Sequence, residues 1–166
     1  MPIIENHKFV DDAWSHLEEG ENPAHRSMII VAFARLDEVL KRWPEGHRAL
    51  GVDLPNDVSV DALAPHLTRF DIVTLNIPGF GDGRALSQAR SLRNTHRFGG
   101  TIRARGNFLP DQYGFLIQSG VDSFEVSDRF PLEEWVRAAG QMPSAYQRGY
   151  AEAAGLETRP FLKALA

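Results

Sequence analysis

A short unbroken apolar run followed by a helical apolar period, repeated along the chain, is the feature that most restricts the fold. Met28-Ile29-Ile30-Val31-Ala32 has the form of a strand buried on both faces, and Leu36, Val39, Leu40 and Trp43 then recur at helical spacing until Pro44 and Gly46 stop them. Ala49-Leu50-Gly51-Val52-Asp53-Leu54 reads as a second strand, and residues 60–67 as its helix with Ser59 as N-cap. Residues 71–77 and 101–105 are further strands, followed by helices over 83–95 and 110–119. Residues 121–126 and 131–139 complete a fifth strand and helix. Five strands alternating with helices predict an α/β class with a parallel sheet and right-handed crossovers. Two closures fit this pattern, an open flavodoxin-like sheet or an incomplete βα barrel, and five units are too few for the eight-stranded barrel, which favours the open sheet.

The ends of the chain are read separately. Ile3-Ile4 and Lys8-Phe9-Val10 around Glu5-Asn6-His7 predict a small N-terminal hairpin lying outside the main sheet. Residues 11–27 carry no sustained period and read as a loop, and residues 141–166 as a helical tail able to dock on the domain or on a partner. A single monomeric domain of 166 residues is expected, with residues 28–140 as its core.

Composition removes several function classes. The net charge of −4 argues against sequence-independent nucleic-acid binding, which needs a basic surface. The absence of cysteine removes disulfides, iron–sulfur ligation and thiolate catalysis. The six histidines, His7, His16, His25, His47, His66 and His96, never fall in ligand-pair spacing, so no metal site is expected. With no long apolar run and no leader-like start, the expectation is a cytoplasmic protein with no membrane partner.

Positive charge is concentrated in GFGDGRALSQARSLR, residues 79–93. It is one of the loops at the carboxyl edge of the strands, where sheets of this class bind ligands. Gly79, Gly81 and Gly83 permit a sharp turn, and Arg84 follows at the start of a helix, which outlines an anion site. The pattern is neither a dinucleotide fingerprint nor a phosphate loop. On a helical wheel Ala85, Ala89 and Leu92 form the buried stripe, Arg84, Gln88 and Ser91 point away from it, and Arg90 and Arg93 border the core. In the next strand, TIRARG, alternation places Arg103 and Arg105 on one face. Either that face lines a polar cleft, or acids such as Asp53, Asp82, Asp111 and Glu125 pair with the arginines in a structural network.

These stretches carry a family resemblance. IPGFGDGRALSQARSLR and GGTIRARGNFLPDQYGFLIQSGVDSFEV resemble the bacterial family called domain of unknown function nine-three-four, through Phe80, Asp82, Gly83, Arg84, Ser87, Ala89, Arg90, Leu92 and Arg93 in the first stretch. Arg103, Ala104, Gly106, Asp111, Gln112, Gly120, Asp122, Phe124 and Glu125 match in the second. Where the family often has an aromatic or basic residue before its phenylalanine, this chain has Pro78-Gly79. The resemblance implies association with a sulfite reductase hemoprotein and an oxidoreductase, or oxidoreductase subunit, of sulfite reduction. No residue in the sequence itself supplies a redox group or names a cofactor.

Three functions follow as expectations. The first is an accessory protein of assimilatory sulfate and sulfite reduction that binds a small anion or anionic cofactor. In it Gly83, Arg84, Ser87, Arg103, Arg105 and Gln112 hold the anion, supported by Asp53, Arg90, Arg93 and Glu125. The second is an enzyme with Asp82 or Asp111 as general base. The third is an interaction module whose arginine–carboxylate network is structural.

Overall fold

The computed structural model describes residues 1–23, 26–43, 49–79 and 81–140. The predicted tail helix, its docking and the turn residue Phe80 lie outside them. Strands β1 (Ile3–Glu5), β2 (Lys8–Val10), β3 (Ser15–His16), β4 (Met28–Ala32), β5 (Ala49–Leu54), β6 (Ile72–Ile77), β7 (Thr101–Gly106) and β8 (Ser123–Glu125) form one eight-stranded sheet. Its order is β2-β1-β8-β7-β6-β5-β4-β3. The pairs from β3 to β8 are parallel, and β1 runs antiparallel to both β2 and β8.

The α/β class stands, and three expectations are corrected. The sheet has eight strands rather than about five. The predicted hairpin forms, with Asn6 and His7 at positive φ in its turn, but it belongs to the main sheet. The short β8 would otherwise be an open edge, and β1 covers it while burying both Ile3 and Ile4. Finally, β4 to β8 lie side by side in chain order, which excludes the flavodoxin-like arrangement, where the order must reverse at a switch point.

Connectivity also curls the sheet. β2 and β3 occupy its two opposite edges, yet only Asp11 to Trp14 join them. That link spans at most about 18 Å when extended, whereas the edges of a flat eight-stranded sheet stand about 34 Å apart. The two edges must therefore approach each other, and the sheet closes toward a barrel with the connector across its seam.

One face of the sheet carries the core. Ile4, Ile29, Val31, Leu50, Val52, Leu54, Val73, Leu75, Ile102, Ala104 and Phe124 pack there with the helical layer. That layer contains α1 (Leu36–Leu40), a 3₁₀ segment (Val60–Arg69), α2 (Arg84–Arg90), α3 (Pro110–Gln118) and α4 (Leu132–Gly140). The 3₁₀ segment holds Pro65, whose missing N–H is incompatible with an uninterrupted α-helix, and Ser59 caps it by accepting from the Asp61 N–H. An aromatic group, Phe108, Tyr113, Phe124 and Trp135, fills the space between β8, α3 and α4.

Candidate functional site

Residues paired in register share a face, so the ladder identifies what lies inside the curl. From β5 outward, Asp53 pairs with Thr74, Thr74 with Arg103, and Arg103 with Ser123. One step toward the carboxyl ends, Asn76 pairs with Arg105 and Arg105 with Glu125. Below them Ile30 and Ile72 line the same face, and both are fully buried outside the helix-side core. The inner face thus grades from apolar at the amino ends to polar at the carboxyl ends, which form a mouth.

Arg105 is the centre of that mouth. Its Nη1 donates to Asp53 Oδ2 at 3.1 Å, its Nε stands 3.9 Å from Glu125 Oε2, and Nη1 lies 3.2 Å from Nδ1 and 3.4 Å from Nε2 of His16. The Arg105 side chain remains 33% exposed. Burial lowers the His16 pKa, and the adjacent Arg105 charge lowers it further. Burial also raises the Asp53 pKa, and the attraction of Arg105 offsets it only in part. Asp53 Oδ1 and Thr74 Oγ1 are sealed from solvent and have no hydrogen-bond partner.

Arg103 lies deeper, 1% exposed, and its guanidinium is held by one hydroxyl and two carboxylates. Nε donates to Ser123 Oγ at 3.1 Å, Nη1 to Asp12 Oδ2 at 2.9 Å, and Nη2 stands 4.0 Å from Glu5 Oε1. Asp12 sits on the seam connector and is held by the Trp14 N–H. Both readings of the TIRARG face are therefore present: Arg105 lines a polar opening, and Arg103 is the hub of an internal network. Asp53 and Glu125 pair with Arg105, as the alternation suggests. Asp12, Glu5, Ser123, Thr74 and His16 were not singled out. Alternation along residues 71–77 and 121–126 could have found Thr74 and Ser123, whereas nothing in the pattern of residues 11–27 marks Asp12 or His16.

The glycine-rich stretch forms a second, separate group on the same edge. Arg84, its side chain 59% exposed, donates from Nη2 to Asp82 Oδ2 at 2.6 Å and from Nε to Asp82 Oδ1 at 3.0 Å. Asp82 also accepts from the Arg84 N–H and from Asn56 Nδ2 at 2.5 Å. The Arg84 bonds hold the Asp82 carboxyl down to about 2. Gly83 caps α2 and Ser87 lies exposed on it. Gln88, expected to face outward, is buried and donates to the carbonyls of Pro55 and Val58, and Asn107 Nδ2 reaches the Pro78 carbonyl. Three carboxyl-edge loops are thereby tied together. Among the described residues, the Arg84 and Arg105 networks share no partner.

Arg90 is exposed, whereas Arg93 is 1% exposed. After α2 the chain continues as a π turn, Ser91–Thr95, and the extra residue per turn rotates Arg93 inward, off the straight-helix wheel. Arg93 donates to the carbonyls of Gly120 at 3.0 Å, Phe98 at 2.6 Å and Gly100 at 2.8 Å, and pairs with Asp122. This clamp is at the amino ends of β7 and β8, the far end from the mouth. Gly120, at φ +100, leaves room for the Arg93 stem, which any side chain there would strike. Asp111 is exposed on the first turn of α3, and Gln112 accepts from the Leu109 N–H at that helix start.

Among the described residues, no group of three or more histidine, aspartate or glutamate side chains is arranged to hold a metal ion, and no helix is long and apolar enough to cross a membrane. No curated protein and no solved structure is significantly similar to the chain. Residues 51–156, which include most of β5, all of β6 to β8, the glycine-rich loop and both arginine groups, match the family described as Bacterial protein of unknown function (DUF934), and the chain belongs to that family.

Proposed function

We propose that this chain is a cytoplasmic accessory protein of assimilatory sulfate and sulfite reduction that receives a small anion at the mouth of its curled sheet and works with sulfite reductase. The observation that carries the anion reading is Arg105, a guanidinium at the carboxyl ends of the strands whose side chain is one-third exposed. Arg84, the first residue of α2, stands on the same edge and is more exposed still. The pathway rests on the motif resemblance over residues 79–93 and 101–126. Arg103, by contrast, is left out of the proposed ligand set because it is buried and already paired with Ser123 and Asp12.

Titration calorimetry of the full chain with sulfite, sulfate and phosphate tests the anion, and sedimentation with a sulfite reductase hemoprotein tests the partner. Arg105→Ala removes a charge-assisted bond, for a loss of about 1.5–3 kcal/mol of binding, and Arg84→Ala is expected to weaken binding as well. A second reading, the interaction module, is favoured by one observation: Arg103 and Arg105 already face carboxylates. No anion binding together with retained hemoprotein binding would select it.

A further inference from the structure

We propose that the mouth takes up one proton when it binds a small oxyanion, and that Asp53 receives it, an inference that rests on the anion reading above. An oxyanion approaching Arg105 meets Asp53 at 3.1 Å and Glu125 at 3.9 Å from the same guanidinium. One cation and two carboxylates leave a net negative mouth when His16 is neutral. The deeper Arg103 on β7 does not relieve it, because its charge is matched by Asp12 on the seam connector and Glu5 on β1. The incoming charge is tolerated only if one carboxylate or His16 is protonated.

Geometry selects Asp53 among the three. Its Oδ2 accepts from Arg105, but its Oδ1 is sealed from water without any donor, a poor position for half of a negative charge. Thr74 pairs with Asp53 in register on β6, and its hydroxyl oxygen is likewise sealed and unpartnered. The two atoms are not hydrogen-bonded to each other, so the Thr74 hydroxyl does not relieve an ionised Oδ1, whereas a proton on Oδ1 removes the unsolvated charge itself. His16 is a worse recipient, since its ring stands against the Arg105 guanidinium. Glu125 has no sealed, unpartnered oxygen among the described groups. Burial acts on Asp53 in the same direction.

Sulfate is the probe, because it brings no proton of its own near neutral pH. Calorimetry in buffers of different ionisation enthalpy counts protons directly in the unaltered chain. The expected result is uptake of about one proton per sulfate at neutral pH and an affinity that falls about tenfold per pH unit. Asp53→Asn abolishes the uptake, flattens the pH dependence and strengthens sulfate binding at neutral pH. Sulfate binding without proton uptake overturns the proton linkage and leaves the anion reading standing. No sulfate binding by the unaltered chain at either acid or neutral pH overturns both. The proton count needs no variant, so an Asp53→Asn chain that fails to fold leaves the test decisive.

Discussion

The Arg103 guanidinium donates to the Asp12 carboxylate at 2.9 Å across 91 residues of chain, and this bond fastens the seam connector to the middle of the sheet. Because β2 and β3 are opposite edges, the connector is what holds the curl closed, and Arg103 is its internal anchor. Arg103→Ala removes a buried guanidinium and leaves Asp12 and Glu5, whose side chains are 29% and 37% exposed, without their cation. The expected cost is about 1.5–3 kcal/mol of stability, measured by urea unfolding. A double-mutant cycle with Asp12→Ala should show clear coupling. Additive single effects would mean that the bond does not hold the seam.

Arg93 makes a different demand on its side chain. Three carbonyls and one carboxylate surround a planar guanidinium, and a lysine ammonium cannot address all four. Arg93→Lys is therefore expected to destabilise by about 3 kcal/mol or more, despite conserving charge, since buried carbonyls lose their donors. Thermal unfolding reads this directly. A change within about 0.5 kcal/mol would place the clamp among ordinary surface contacts.

How far the sequence discloses this architecture depends on where the information is local. The βα units are legible because buried strands such as Met28–Ala32 and Ala49–Leu54 are unbroken apolar runs. The closure is not, because it depends on β3, a two-residue strand in a polar stretch, and on β1 pairing with β8 across most of the chain. The same holds for the mouth. Arg105, Asp53 and Glu125 stand on strands whose alternation aligns them, whereas His16 and Asp12 arrive from a segment with no periodicity. The inward turn of Arg93 was hidden by the π turn, which a regular 3.6-residue period cannot register.

Arg84 is expected to matter for Asp82 and little for the fold. Its side chain is 59% exposed and the pair is screened by solvent, so Arg84→Ala should leave the fold largely intact. The Asp82 carboxyl, now held down to about 2, should move toward its ordinary value of 3.8 when the guanidinium is gone. Carboxyl-carbon NMR titration follows that shift. The sign is fixed: a depressed carboxyl stabilises the fold above about pH 4 and loses that contribution as the pH falls toward 2. An Asp82 titration unchanged in Arg84→Ala would show that the pair seen on the loop does not persist in solution.

The last expectation concerns acid sensitivity near neutrality. Burial, and then the Arg105 charge, lower the His16 pKa from 6.5, so the unfolded chain binds that proton more readily than the folded one. Stability from His16 is complete above about pH 6.5 and declines as the pH falls below it, because stability rises with pH wherever the unfolded state holds more protons. His7, lowered by burial in the hairpin turn, contributes with the same sign. Asp53 acts oppositely, since its raised pKa favours the protonated folded state. Its effect belongs to the more acidic range above 3.8, where an unfolded aspartate has already lost its proton. Urea midpoints should therefore fall between about pH 7 and pH 5.5, and His16→Gln should reduce that slope while leaving the share of His7. A slope identical in His16→Gln and the parent chain would remove His16 from the mouth's charge balance, because a ring held neutral against Arg105 cannot be replaced by an uncharged amide without changing proton uptake on unfolding.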